Sequence, residues 1–412
     1  MHAKRLKKIR TKVVLILVTI CLCLITSGCW DRRELQERNF VLAVGIDYAD
    51  QSDEPKNKKI TETFVQPHGK KKYQLNLQVL NLSPGGSSGG DEEGGGAKTS
   101  GKAYVISNTG HSLFEMIRDM SGQVGRSLWF EHIHTIVINE KLLKEDGIMP
   151  IIDFLSRDTE MRARIRVFST PGEVKKILEY KPPSGEPSGL YLNSLMRNHV
   201  KNGHLMGTRT DMGYLMQFIT NKSDFLMPRV ELADDILKVG GGSAIKKDKM
   251  VGIVDEYTTK GIKIVRATIK SAIITIECPE HPGNVFAFEL FQHQSKLTPH
   301  VKGDKIYFTF ETYMIGNIGE LQRSPGRHKA SDLDYVRELE VEFAKEVEAN
   351  VRHTWKTTHA MKVDVLHAGK QLKQKYPETW EKVKDDWDDI LPTIPLADVS
   401  VNITIRGTGE RT

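Results

Sequence analysis

Residues 333–355, LDYVRELEVEFAKEVEANVRHTW, and residues 399–406, VSVNITIR, frame the decisive stretch of this chain. In the first, Leu333, Val336, Leu339, Phe343, Val347, Val351 and Trp355 recur at close to 3.6 residues, so one apolar stripe of a long helix starting at Ser331 faces a core. Glu338, Glu342 and Glu346 fall on the opposite side and are expected to face water. In the second, Val399, Val401, Ile403 and Ile405 alternate with Ser400, Asn402, Thr404 and Arg406, the period of a strand covered on one side. Helical stretches to Lys375 and over Glu378–Ile390 lie between them. Strand-like runs precede them at Met250–Val254, Ile262–Ile269, Ile273–Cys278, Val285–Phe291 and Ile306–Tyr313. Strands on both flanks of helices predict an α+β architecture, helices packed on mostly antiparallel or mixed sheets.

Working toward the N-terminus, Gly240-Gly-Gly242 is expected to break the chain, with a strand before it at Phe225–Leu232 and a helix over Asp211–Thr220. A Pro/Gly cluster at residues 181–189 marks the rim of a first domain, with a helix over Leu190–Val200 still attached. Within that domain, Phe40–Tyr48 reads as a buried strand and Tyr73–Val79 as a half-buried one. Gly101–Ser107, Ile133–Ile138 and Arg164–Phe168 follow as strands, and Lys141–Leu155 as a helix. Ser112-Leu-Phe-Glu115 and Thr170-Pro-Gly-Glu173 have the spacing of capping boxes, the second with Pro171 at the first helical position. Residues 84–96, PGGSSGGDEEGGG, hold seven glycines and read as a long flexible hairpin connection. Three domains are expected after a signal peptide over 1–28: an N-terminal α/β domain at 29–200, a small middle domain at 201–270 and a C-terminal α+β domain at 271–412.

The chain has 412 residues, 39% of them hydrophobic and 27% charged, enough apolar material for real cores. Its net charge of +6 resides in the first 28 residues, where Lys4, Arg5, Lys7, Lys8, Arg10 and Lys12 stand with no acidic residue. Without them 53 basic residues face 53 acidic ones, which gives no electrostatic footprint for nucleic acid. The basic cluster, the 13-residue apolar run Val13–Ile25 and Thr26-Ser27-Gly28-Cys29 have the form of a secretory signal, too short to span a bilayer. The placement of Cys29 resembles a lipobox, in which the cysteine receives a diacylglycerol and becomes the new N-terminus. Two acyl chains give a stable anchor at ~0.8 kcal/mol per buried CH₂, where one gives only marginal binding. Cys21 and Cys23 lie within the signal, so Cys278 alone remains, in an apolar run that suits burial.

No catalytic constellation emerges. Gly94-Gly-Gly-Ala-Lys98-Thr99 lacks the glycine that a phosphate loop needs before its lysine. Gly86-Ser-Ser88-Gly-Gly90 matches a nucleophile-elbow string but sits in the glycine run, where no strand-to-helix turn strains the serine. His132 and His134 share one side of a strand without a third ligand at metal spacing, and a packing role is the favoured reading. Asp385, Asp386, Asp388 and Asp389 read as solvated carboxylates at a helix end. A metal, a cofactor and an enzymatic activity are not expected.

Several short segments together resemble the Ger(x)C family of spore germination lipoproteins, the C subunits of nutrient germinant receptors. They are Gly28-Cys29-Trp30-Asp31-Arg32-Arg33-Glu34-Leu35 leading to Val44-Gly45-Ile46-Asp47, His134 before Asn139-Glu140, and Arg157-Asp-Thr-Glu-Met-Arg162. The C-terminal half adds Gly241-Gly-Ser-Ala-Ile245, Met250-Val-Gly-Ile253, Lys362-Val-Asp364 and Trp380…Trp387. The glycine insert departs from the family's usual length. The resemblance implies a three-domain mixed α/β lipoprotein, anchored through Cys29 on the outer surface of the spore's inner membrane. It further implies assembly with a transporter-like subunit and a second membrane subunit, and it brings no catalytic residues. Physically, Arg157, Asp158 and Arg162 are expected to fasten the strand that follows them. The competing class is a solute-binding lipoprotein delivering a nutrient to a transporter, which would need two α/β lobes around a cleft. A third class, an extracytoplasmic folding factor, would expose a large apolar groove.

Overall fold

The computed structural model describes residues 12–16, 19, 38–49, 69, 71–81, 103–206, 210–278, 282–322 and 333–407. The chain forms two compact units, residues 1–38 and 39–412. In the first, residues 12–16 and 19 are helical and exposed.

In chain order the elements begin with β1 (Arg38–Tyr48, all but its first residue in the second unit), β2 (Tyr73–Leu80), β3 (Ala103–Gly110), α1 (Leu113–Met120), β4 (Ser127–Trp129) and β5 (Thr135–Asn139). Then come α2 (Glu140–Glu145), α3 (Met149–Arg157), β6 (Arg166–Thr170), α4 (Val174–Glu179), α5 (Ser188–Leu195) and α6 (Met212–Thr220). A hairpin pair follows, β7 (Phe225–Ala233), β8 (Ile236–Lys246) and β9 (Lys249–Val254), then α7 (Glu256–Val265). The last part is β10 (Ala272–Glu277), β11 (Val285–Lys302), β12 (Lys305–Leu321), α8 (Leu333–Ala360), α9 (Ala368–Lys375), α10 (Pro377–Val383), α11 (Trp387–Ile390) and β13 (Leu396–Gly407).

One nine-stranded sheet has the order β3-β2-β1-β5-β6-β7-β8-β9, with β4 also on β1. Its centre is parallel, β1 on β5 on β6, and its wings are antiparallel. Side chains alternate across β1, so Val44 and Ile46 join a core with α1, α2, α3 and α6, while Ala43 faces α4 and α5. Cover on both faces explains why β1 is a nearly continuous apolar run. It also corrects the half-buried reading of β2: Asn76 and Gln78 are both buried. Gln78 donates to the Leu178 carbonyl (2.7 Å) and accepts from the Gly189 N–H (3.0 Å), so one amide serves the end of α4 and the start of α5.

The second sheet has the order β10-β11-β12-β13, antiparallel except that β13 runs parallel to β12. Its strands β11 and β12 run 18 and 17 residues, far beyond the expected runs, and turn at Gly303, whose φ of +59° suits a two-residue hairpin. The stripe of α8 lies on this sheet, with Phe343 against Phe288 (5.5 Å between centroids) and Trp355 against Phe308 (5.3 Å). Each such side chain contributes ~1.5–3 kcal/mol of burial. Leu333 departs from the expected stripe, being 73% exposed, and Tyr335 is buried near that end. Glu346 does not simply face water, because it accepts a hydrogen bond from the Tyr257 hydroxyl (3.1 Å).

Five further expectations fail for local reasons. Ile262–Ile269 is not a strand but the last turn of helix α7 and the turn after it, and the helix start is fixed by Asp255 accepting from the Thr258 N–H (2.7 Å). Gly240–Gly242 does not break the chain but lies inside β8, where Gly241 takes φ +65° and approaches the Val254 carbonyl. The Lys141–Leu155 helix is split at Gly147, φ +80°, packed against Asp248. Thr170 does not cap α4. The helix starts at Val174, and its N–H is held by Asp47 of β1 (2.8 Å). The Glu378–Ile390 stretch forms two helices, α10 and α11.

Candidate functional site

Cys29 lies outside the described residues, as do residues 84–96 and the glycine strings at 86–90 and 94–99. His132 sits edge-on to Trp129 (4.8 Å) and Phe40 (5.0 Å), a packing arrangement. Burial, with His132 and the cations Arg164, Arg162 and Arg197 nearby, pushes the His134 imidazole below its ordinary range. Arg157 pairs with Asp153 one turn back (2.9 Å). Glu160 accepts from the Phe130 N–H (2.8 Å), and Arg162 meets Glu131 (3.4 Å). That charged run therefore fastens residues 130–131 and not the strand that follows it. Asp388 and Asp389 are ion-paired with Lys246 (2.8 Å) and Lys362 (2.6 Å), not merely solvated. Cys278 is buried, as its apolar run suggests. Among the described residues, no three His, Cys, Asp or Glu side chains converge as metal ligands.

The short segments singled out in the sequence prove to be joints of the fold. Gly45 leaves room for Val174 and Leu178, which a Cβ would strike, and Asp47 two residues on caps α4. Glu140 accepts from Arg229 (2.7 Å), while Ser169 and Ser243 share a hydrogen bond of 2.7 Å beside them. Asp364 accepts from the N–H groups of Ala368 (2.7 Å) and Gly369 (2.8 Å) and from the Trp387 indole (3.2 Å). Burial still pushes the Asp364 carboxyl up to about 7. Its own N–H is held by Asp224 (2.8 Å), 140 residues away in the chain.

Beside Asp224 lies a pocket of about 190 Å³. Asp211 caps α6 by accepting from the Tyr214 N–H (3.0 Å), and α6 then presents Leu215 and Phe218 to the pocket. The start of β7 brings Leu226 and Pro228, α7 brings Ile262, and the turn before α9 brings Val365. The end of α7 closes with the Thr268 N–H on the Lys263 carbonyl (2.9 Å) and Ala267 at φ +54°, where glycine is the usual residue. Lys263 is 2% exposed and spends all three ammonium hydrogens on the carbonyls of His199 (3.1 Å), Asn202 (2.9 Å) and Leu205 (3.0 Å). Burial pushes its pKa down to about 8. Arg266 also lines the pocket, half-buried, and its guanidinium has no hydrogen-bond or ion-pair partner among the described residues. Sequence reading missed this residue because it had taken its segment for a strand; Asp255, three residues before Thr258, was the available cap signal.

The pocket draws on both halves of a chain that two family models cover. Residues 31–232 match "Spore germination protein N-terminal domain" and residues 240–409 match "Spore germination B3/GerAC like, C-terminal". The chain belongs to this GerAC-like family of spore germination proteins. It is 29% identical over 417 residues to spore germination protein YndF of Bacillus subtilis (strain 168), covering 99% of each. It is 27% identical to spore germination protein KC of the same organism, covering 97% of each. The crystal structure of the GerBC protein shares the fold, with a TM-score of 0.56 at 20% identity over 81% of this chain and 94% of that one.

Proposed function

We propose that this protein is the lipid-anchored C subunit of a spore nutrient germinant receptor. It is held at Cys29 on the outer face of the spore's inner membrane and works by assembly with a transporter-like subunit and a second membrane subunit, without catalysis. The observation that carries this reading is the match of both family models across nearly the whole chain. The basic leader, short apolar run and Cys29 support the anchor, and no described helix is long and apolar enough to cross a membrane. An acylated Cys29 would confine the protein to the membrane surface. Confinement of that kind raises effective concentration, so modest contacts suffice to hold a complex.

We also propose the three-part layout 29–200, 201–270 and 271–412. The middle part contributes β7, β8 and β9 to the first sheet and α7 to the pocket. Intact-mass analysis of the protein from spore membranes tests the anchor. The expected species begins at Cys29 and carries acyl chains. A chain that begins elsewhere and lacks lipid contradicts it.

A further inference from the structure

We infer that the pocket between α6, β7 and α7 binds a small organic monocarboxylate with an apolar body, held by Arg266. Its walls are mainly apolar, with Phe218, Leu226, Pro228, Ile262 and Val365 among them, so the bulk of an occupant is hydrocarbon. The charges on the lining do not cancel. Lys263 is fully engaged by three carbonyls. Asp224 is engaged by the Asp364 N–H (2.8 Å). What remains is Arg266, with Lys270 exposed at the rim and the His199 imidazole, whose Nδ1 lies 2.8 Å from the Met196 carbonyl.

A guanidinium offers five N–H donors in a planar fork that matches a carboxylate bidentately. Half-buried beside apolar walls, it gains more from an anion than a surface arginine would, because screening is weaker there. A volume near 190 Å³ is below the ~300–1,000 Å³ of sites for drug-sized ligands, so the occupant is of fragment size. Inorganic phosphate alone forfeits the apolar walls and is a poor match. Affinity for so small a ligand falls in the ~0.1–1 mM range. Because its walls come from both matched segments of the chain, an occupant braces one against the other and raises the melting temperature by mass action. The inference does not depend on the lipid anchor.

Calorimetry on the mature chain with 3-phenylpropionate, its amide, 2-phenylethylamine and inorganic phosphate tests it. The expected result is saturable binding of the acid, at least tenfold weaker binding of the amide, and none of the amine or phosphate. Arg266→Gln should abolish the preference for acid over amide, and Lys270→Gln, at an exposed position, should weaken acid binding about twofold. The inference is overturned by equal binding of acid and amide, by no acid binding up to roughly 10 mM, or by a folded Arg266→Gln protein that binds acid like the wild type. The ligand series on the wild-type chain decides the matter even if Arg266→Gln does not fold.

Discussion

The Glu140 carboxylate at the start of α2 accepts a hydrogen bond from the Arg229 guanidinium of β7 at 2.7 Å, with its side chain only 4% exposed. The two residues lie where the nine-stranded sheet is thinnest in backbone terms. Strands β6 and β7 share a single paired position, Ser169 with Arg229. Side chains do the joining that the ladder does not: the Glu140–Arg229 pair and the Ser169–Ser243 hydrogen bond, while Arg229 also pairs with Glu231 along its own strand (2.7 Å).

Glu140→Gln should therefore destabilise the protein by about 1–3 kcal/mol, since the Arg229 guanidinium keeps only the half-exposed Glu231 as its charge partner. Replacing both residues with methionine should recover part of that loss. Urea unfolding midpoints measure it, and a single-variant loss below ~1 kcal/mol contradicts the joint described here.

His359 makes stability sensitive to acid. His359 is 2% exposed, neither ring nitrogen has a hydrogen-bond partner among the described residues, and the ring centroid sits 3.9 Å from that of Trp355. Burial pushes its pKa down to about 3, against about 6.5 in an unfolded chain. As pH falls below 6.5 the unfolded chain takes up a proton that the folded one refuses, so stability is lost at about 1.4 kcal/mol per pH unit. His359→Phe removes this term. Between pH 7 and pH 5 the wild type should lose about 2 kcal/mol more than the variant. Parallel losses in the two proteins contradict the assignment.

Gly261 sets the approach of α7 to α8. A Cβ there would overlap the Thr354 hydroxyl and come 2.5 Å from the Asn350 Oδ1. Alanine gains ~1 kcal/mol of helix propensity, but forcing the helices apart costs about 1–3 kcal/mol. Gly261→Ala should be less stable by thermal unfolding. A more stable variant shows that the helices separate freely.

Leu80, the last residue of β2, and Ala103, the first of β3, pair directly on either side of the glycine run. Replacing residues 84–96 with Asn-Gly should thus change stability by less than about 1 kcal/mol, because loop entropy grows only ~0.6 kcal/mol per doubling of length. A large loss of cooperative unfolding shows that the run packs on the body.

Periodicity made much of this fold legible. The buried run of β1, the stripe of α8 and the alternation of β13 each announce their neighbours, because burial on one side repeats with the element's own period. What the sequence hides are the long-range joints. Nothing near Val174 announces that Asp47, 127 residues earlier, will cap α4. Gly240–Gly242 reads as a break because glycine's freedom serves a bulged strand as well as a loop. Ile262, Ile264 and Val265 look like a strand until Asp255 is recognised as a cap. Arg266 became visible only once that helix was in place.

Germination measures the central claim most directly. Spores carrying the wild-type protein, Cys29→Ala or no protein are compared across nutrients, with the levels of the two membrane subunits measured alongside. Loss of the protein should abolish the response to one nutrient group while growth and sporulation proceed, and Cys29→Ala should restore that response poorly. Equal germination of all three strains on every nutrient contradicts the account.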